Sequence, residues 1–274
     1  MTPTPRRNIV ITGAAAGIGR ATALHLARLG FGLGLLDVSP DLERVAGEIA
    51  GEIAAGGAPV AWALCDVGET TQITAALAKL QAELGPLDGL VNNAGIASHI
   101  APVVRMSPTK WQRELDVNLT APMLLSQALL PGMVERGWGR IVNIASIAGR
   151  TGLYHQAGYS ATKAGLIGLT RAVTLEHARH GITCNAILPG MIATVAVQGL
   201  PTVIREDAIA LIPARRFGQP EDVAALVGFL CSDAAGYING AEIDIGGGAH
   251  LGQIVLGSTK EVLGRQARSV PPAI

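Results

Sequence analysis

Tyr159 and Lys163 stand four residues apart, on one face of any helix that carries them, and Ser146 lies thirteen residues upstream. Reducing a ketone by hydride transfer needs a proton donor at the carbonyl oxygen, and oxidising the alcohol needs a base there. A free phenol, with a pKa near ~10, is a poor base at pH 7, and each unit of downward shift takes ~1.4 kcal/mol of preference for phenolate. A lysine one helical turn away supplies positive charge that favours the phenolate. Ser146 follows the apolar run Ile141–Ala145, which places it at the C-terminal end of a strand, where open α/β sheets hold their ligands. Each residue also has a plainer reading on its own: a half-buried tyrosine, a solvated lysine, a loop serine.

A second set lies near the N-terminus, Gly13-Ala14-Ala15-Ala16-Gly17-Ile18-Gly19, between a strand-like and a helix-like run. Glycines in that position let the backbone approach a pyrophosphate, and the helix N-terminus adds free N–H groups and a partial positive charge. The spacing differs from the usual Gly-x-Gly-x-x-Gly fingerprint, so context must carry the reading. Asp37 supplies it: it ends the second strand-like run, where an acid accepts hydrogen bonds from an adenosine ribose. Its plainer reading is a turn residue before Pro40. A ribose 2′-phosphate ~4 Å from Asp37 would be repelled by about 4 kcal/mol at an effective dielectric near 20. No basic residue lies between Gly13 and Gly19, and Val38 follows the acid. The expected cofactor is therefore NAD(H) rather than NADP(H).

The elements that must position these residues alternate along the chain. Strands are expected at Asn8–Thr12, Leu33–Asp37, Pro59–Cys65, Leu87–Val91, Arg140–Ala145, Thr183–Leu188 and Glu242–Ile245. Helices are expected from Gly17 to about Leu29, and at Asp41–Ala55, Glu69–Leu84, Pro108–Glu135, His155–His180 and Pro220–Cys231, with Pro122 bending or breaking the fourth of these. Such alternation means right-handed βαβ crossovers and a doubly wound parallel sheet with helices on both faces, an α/β fold of Rossmann type. No linker-like stretch divides residues 1–274, so one domain is expected, with 251–274 as a C-terminal extension. Met191–Pro213 has few packing signals and is expected to include a lid.

From Asn8 to Gly248 the chain resembles the short-chain dehydrogenases/reductases. The matches in register are Thr12 through Gly19, Asp66-Val67, Asn92-Asn93-Ala94-Gly95, Asn118, Ser146, Tyr159 with Lys163, Pro189-Gly190 with Thr194, and the closing glycines. The resemblance implies about seven strands and a homotetramer. It also implies a role for each matching position. Tyr159 is the general acid/base, and Ser146 holds the substrate oxygen. Lys163 lowers the tyrosine pKa and binds the nicotinamide ribose, and Asn118 keeps a water that carries protons onward. Gly13, Gly17, Ile18 and Gly19 seat the dinucleotide, and Asp66 with Val67 meets adenine. Asn92, Ala94 and Gly95 border the cofactor, while Pro189, Gly190, Ile192 and Thr194 frame the nicotinamide. Ala148, His155, Gln156 and Met191 join Ser146 and Tyr159 at the substrate, although His155 serves equally as a helix cap.

Composition narrows the field further. Of the 274 residues, 21 are Lys or Arg and 21 are Asp or Glu, which leaves no electrostatic footprint for nucleic acid or an acidic membrane. Three cysteines make no disulfide framework or metal pair, and six histidines show no ligand set, so no metal is expected. With no signal-type segment and no uncharged run of ~18 apolar residues, a cytoplasmic protein is expected. The apolar character of Met191–Pro213 points to a mostly neutral carbonyl or secondary alcohol, with Arg150 read as a surface residue. Two other readings stay open. One is a 3-oxoacyl-thioester reductase, which Arg216-Phe217-Gly218-Gln219-Pro220-Glu221-Asp222 also resembles; the other is a nicotinamide sensor without turnover. The stretch from Ala249 is either a solvated extension or part of a subunit interface.

Overall fold

The computed structural model describes residues 6–52, 57–97 and 99–251. Seven strands form one sheet: β1 (Asn8–Thr12), β2 (Gly32–Asp37), β3 (Val60–Leu64), β4 (Gly89–Asn92), β5 (Gly139–Ile144), β6 (Ile182–Pro189) and β7 (Glu242–Ile245). The spatial order is β3-β2-β1-β4-β5-β6-β7, and every neighbouring pair is parallel. The helices connecting the strands are α1 (Gly17–Arg28), α2 (Leu42–Glu52), α3 (Thr70–Leu84), α4 (Pro108–Leu115), α5 (Ala121–Arg136), α6 (Ala148–Thr151), α7 (Ala157–His177), α8 (Val195–Gln198), α9 (Thr202–Leu211) and α10 (Pro220–Cys231). Strands β1 and β6 are buried at every position, because helices cover the sheet on each side. Among the described residues three core clusters result: one holds Leu26, Leu35, Ile49 and Val227, one on the other face holds Leu77, Leu90, Leu125 and Met133, and a smaller one holds Ala145, Leu166 and Leu188. Strand order reverses between β1 and β4, which opens a crevice at their C-terminal ends.

The break expected near Pro122 takes a particular form. Pro122 has no N–H to give the carbonyl of Asn118, four residues earlier. The helix widens instead into a π turn over Asp116–Thr120, closed by the Ala121 N–H on the Asp116 carbonyl, and then resumes as α5. Helices α4 and α5 with this turn run from Pro108 to Arg136, long and apolar enough to span a bilayer by composition, yet half of the most apolar window is buried in the protein. It is a core helix.

Helices α8 and α9 occupy the segment read from sequence as a stretch of few packing signals. No side chain of α9 is buried, and Val203, Ile204 and Leu211 face outward, so the apolar periodicity that marks a core helix is missing there. Of the extension after Gly248, only Ala249, His250 and Leu251 belong to the described residues; its expected interface role falls on residues 252–274, outside them.

Candidate active site

The glycine loop follows β1 directly, and its shape explains its composition. Gly13 and Gly17 have φ of 65° and 52°, in the left-handed region that side chains disfavour. A Cβ on Gly19 would stand 2.0 Å from the Gly13 carbonyl oxygen, so the start of α1 packs on the loop's own backbone. Helix α1 has Ala16 at its N-cap, with no side-chain cap and no acid in the first turn. Its first N–H groups and positive dipole end therefore face the crevice uncompensated.

Neighbouring strands lock this loop in place. Thr12 Oγ1 accepts the N–H groups of Asn93 (3.0 Å) and Ala94 (2.9 Å), while Asn93 Nδ2 donates to the carbonyls of Thr12 (2.9 Å) and Gly13 (3.1 Å). From β2, Asp37 Oδ2 accepts the Ala15 N–H at 2.9 Å, and Oδ1 accepts the Ser39 N–H at 2.9 Å. Asp37 is half-buried and braces both the glycine loop and the turn that follows β2.

The proton-transfer residues converge from two elements. Ser146 follows β5, is buried, and accepts the Ala148 N–H on Oγ at 3.1 Å. Tyr159 and Lys163 project from α7, and α6 holds that helix closely: a Cβ on Gly149 would lie 2.8 Å from the Lys163 carbonyl carbon. Burial pushes the Tyr159 phenol up, and its hydrogen bond with Ser146 pulls it down. Lys163 Nζ donates to the Ile144 carbonyl at 2.7 Å and lies 5.6 Å from the centre of the tyrosine ring. Burial lowers its ammonium to about 8, so the group keeps its charge at neutral pH. Asn118, in the π turn, accepts the Ile96 N–H and donates to the Ile96 carbonyl, both at 2.8 Å, and donates to Thr162 Oγ1 at 3.2 Å.

A cavity of about 460 Å³ joins these groups. Its wall includes Ser146, Tyr159 and Lys163 together with Ile18, Gly95, Ala148, Gln156, Pro189, Gly190, Met191, Ile192 and Thr194 from the sequence expectation. Gly13, Gly17, Gly19, Asp37 and Ala94 lie in or against the glycine loop, outside this wall.

Other expected residues sit elsewhere. Asn92 turns into the sheet, donating to Asn143 Oδ1 at 2.8 Å; its neighbour Asn93 lines the cavity and ties down the glycine loop. Successive strand residues face opposite sides, and a doublet of asparagines does not reveal which one faces the cleft. His155 lies beside the cavity rather than on its wall, with φ 61° and its ring stacked on Tyr154 at 3.8 Å; the N-cap of α7 is Gln156. Asp66 is held by the Arg113 guanidinium at 2.6 Å and by the Gly68 N–H at 2.9 Å, and Val67 is buried in the core. Arg150 binds Glu242 at 2.9 Å and Asp244 at 2.7 Å, which ties α6 to β7 and turns its charge from the cavity.

A family model described as Enoyl-(Acyl carrier protein) reductase matches residues 13–250. The 3-oxoacyl-(acyl-carrier-protein) reductase of Pseudomonas aeruginosa is 40% identical over 243 residues, 88% of this chain and 96% of that protein. The cis-4-hydroxycyclohexanecarboxylate dehydrogenase of Sinomonas cyclohexanicum is 38% identical over 242 residues, again 88% and 96%. A crystal structure of levodione reductase superposes with a TM-score of 0.85 at 35% identity, covering 90% of this chain and 98% of that one. The chain belongs to the short-chain dehydrogenase/reductase family. As a member it is an oxidoreductase, and its family works with a nicotinamide cofactor. The crevice of this short-chain dehydrogenase/reductase fits such a group: the glycine loop leaves no side chain over the bare N-terminus of α1, and Ile18, Gly190 and Thr194 wall its inner end.

Proposed function

We propose that the protein interconverts a secondary alcohol and a ketone with NAD(H), with Tyr159 as general acid/base. The observation that carries this reading is the convergence of Ser146, Tyr159 and Lys163 on one cavity, whose wall also includes Ile18 of the glycine loop. The bound nicotinamide supplies the hydride acceptor or donor. In oxidation, the substrate O–H proton passes to the Tyr159 phenolate as the electron pair of the adjacent C–H bond leaves with its hydrogen. In reduction, the phenol returns a proton to the carbonyl oxygen. Ser146 holds that oxygen, and the Lys163 charge stabilises the phenolate against the cost of burial. Asn118 fixes the strand-end loop through Ile96, beside the route by which protons leave Lys163.

Asp37 supports NAD(H): its carboxylate stands at the ribose end of the crevice, where a 2′-phosphate would meet like charge. The substrate side of the cavity is apolar, with Ile147, Leu153 and Val197, and suits a neutral substrate. A second reading, reduction of a 3-oxoacyl thioester, is favoured by the similarity to the Pseudomonas protein. Outward-facing Met123 and Leu175 on α5 and α7, with the edge of β7 that pairs with no strand among the described residues, support a homotetramer, and we place the enzyme in the cytoplasm. Light scattering on the purified protein tests the assembly.

Nicotinamide absorbance tests the function. One arm offers NAD⁺ with secondary alcohols, and the other offers NADH or NADPH with a short 3-oxoacyl thioester; Tyr159→Phe serves as control in both. Activity in the first arm that the variant loses supports the dehydrogenase. Activity only in the second with NADPH overturns the reading of Asp37 and assigns acyl reduction. Tight NAD binding without turnover in either arm would mark a sensor.

A further inference from the structure

Glu114, on α4, is a buried acid that the proposed chemistry does not use. It is 1% exposed, and its carboxylate has little company. Oε1 accepts the His99 N–H at a long 3.4 Å, and Oε2 has no hydrogen-bond partner among the described residues. A carboxylate buried in this way is costly unless positive charge answers it. The element beside it is α7. A Cβ on Gly158 would stand 2.2 Å from Glu114 Oε2, so the oxygen lies against the first turn of that helix, where glycine leaves it room. Trp111 packs beside it, 3.3 Å from the same point.

Helix α7 lacks what its N-terminus needs. Its N-cap, Gln156, makes no side-chain capping bond, and no acid stands in its first turn. The first N–H groups and the positive dipole end of this 21-residue helix are therefore left to a group from elsewhere. Glu114 brings a carboxylate to that end from the facing helix. Tyr159 follows Gly158 directly, as the third residue of α7. A phenolate there draws on the same positive end, so the two anions compete for it. Other charged groups nearby are engaged. His99 turns its ring Nε2 to the Ser107 N–H, Arg113 holds Asp66, Asp116 accepts from Gln112, and Lys163 donates to the Ile144 carbonyl. Lys110 is exposed, and His155 is stacked on Tyr154.

We infer that Glu114 is a positioning residue for the proton transfer: its carboxylate answers the positive end of α7 and keeps Tyr159 protonated to higher pH. This rests on Tyr159 as general acid/base and adds what sets its working range. Without the Glu114 charge the phenolate costs less, so the acid limb of alcohol oxidation and the alkaline limb of ketone reduction both move to lower pH. A full charge ~12 Å away at an effective dielectric near 20 moves an ionisation by about one pH unit.

The test titrates tyrosinate absorbance in the full-length protein and in Glu114→Gln and Glu114→Leu. The chain has three tyrosines; Tyr154 and Tyr237 are exposed, and Tyr159→Phe identifies the component that belongs to residue 159. That component should move down by about one unit in both variants, and the acid limb of kcat/KM for cyclohexanol with NAD⁺ should move with it. Glutamine keeps the shape of the side chain and leucine gives an apolar one of similar size, so a shared shift reports the charge. A role confined to packing would lower the melting temperature and leave both midpoints in place. An unmoved or raised tyrosinate midpoint in either variant, folded by its melting curve, would overturn the inference. A lowered midpoint in a protein that oxidises no alcohol and reduces no ketone would uphold the charge relation and overturn the dehydrogenase reading alone.

Discussion

Lys163→Met separates the catalytic use of a buried charge from its cost to the fold. The ammonium is lowered to about 8 from an ordinary 10.5 because it is taken out of water. Its folded pKa lies below its unfolded one, so the unfolded chain binds more protons between these values and stability rises with pH across that window. Below about 8 the protonated lysine carries its full penalty, about 3 kcal/mol at pH 7, and near pH 10 about 1 kcal/mol remains. Methionine fills similar volume and removes the penalty, but it leaves the Ile144 carbonyl without its 2.7 Å donor, a loss of about 2 kcal/mol. The variant should therefore be more stable than wild type by about 1 kcal/mol at pH 7 and less stable by about 1 kcal/mol at pH 10. A change of that size corresponds to roughly 2–4 °C in melting temperature on either side. Activity should fall at least ~10²-fold at pH 7, where the phenolate loses its charge partner, and by less at pH 10, where the wild-type lysine is itself neutral. Melting curves of both proteins across pH 7–10, in the absence of nicotinamide, supply the readout. A stability difference that stays constant across that range would refute the argument that Lys163 is held charged against its burial.

The remaining predictions use the same assays. Tyr159→Phe should lower turnover by about 10²–10⁴-fold while fluorescence titration shows nicotinamide binding within a fewfold of wild type; retained turnover would remove Tyr159 from the chemistry. Gly19→Ala should lower the melting temperature and weaken dinucleotide binding together, because the added carbon would stand 2.0 Å from the Gly13 carbonyl oxygen; unchanged binding would mean that the loop yields. Asp37→Asn should raise the Michaelis constant for NAD and narrow the ratio between NAD and NADP efficiencies by about tenfold or more; an unmoved ratio would separate Asp37 from cofactor choice. Burial raises the thiols of Cys65 to about 11 and of Cys184 and Cys231 to about 12. A thiol reagent at pH 8 should therefore label no native cysteine and all three after denaturation, and rapid native labelling would contradict their placement in the core.

The sequence made the sheet legible because its strands are buried on both faces. Short apolar runs such as Ile9–Ile11 in β1 and Ala186–Leu188 in β6, in segments buried at every position, leave few alternatives once turn residues bound them. Helix α9 escaped the same reading because it buries no face, so its residues carry no period to detect. At the site, the Ser146, Tyr159 and Lys163 spacing was readable because one helix and one strand end carry the whole set. Asn93 was not, since its role depends on which way two consecutive asparagines point, and that is fixed by the register of β4 against β1 rather than by residue type. Asp66 was read from the family resemblance, and its pairing with Arg113, 47 residues away, has no local signature.

Asp37, proposed above to select the cofactor, is also bound up with the architecture. Each of its carboxylate oxygens takes one backbone N–H, from Ala15 in the glycine loop and from Ser39 in the following turn. An oxygen of this kind has a second acceptor direction, so a ribose hydroxyl can be held without breaking either bond. Alanine at this position would orphan the Ala15 N–H as well as remove the charge, and poor cofactor binding would then follow from a displaced loop whichever nucleotide was offered. Asparagine abolishes the charge and keeps one acceptor, enough for the Ala15 N–H, but its amide nitrogen is a donor and leaves the Ser39 N–H in the exposed turn to water. Only the charge discriminates against a 2′-phosphate, whereas the acceptor holds the loop. The Asp37→Asn enzyme thus tests electrostatic selection with the Ala15 bond kept: if the NAD-to-NADP ratio falls while the melting temperature drops by no more than the loss of the one turn hydrogen bond from Ser39, about 1 kcal/mol, the carboxylate's charge, rather than the shape it imposes on the loop, sets the cofactor.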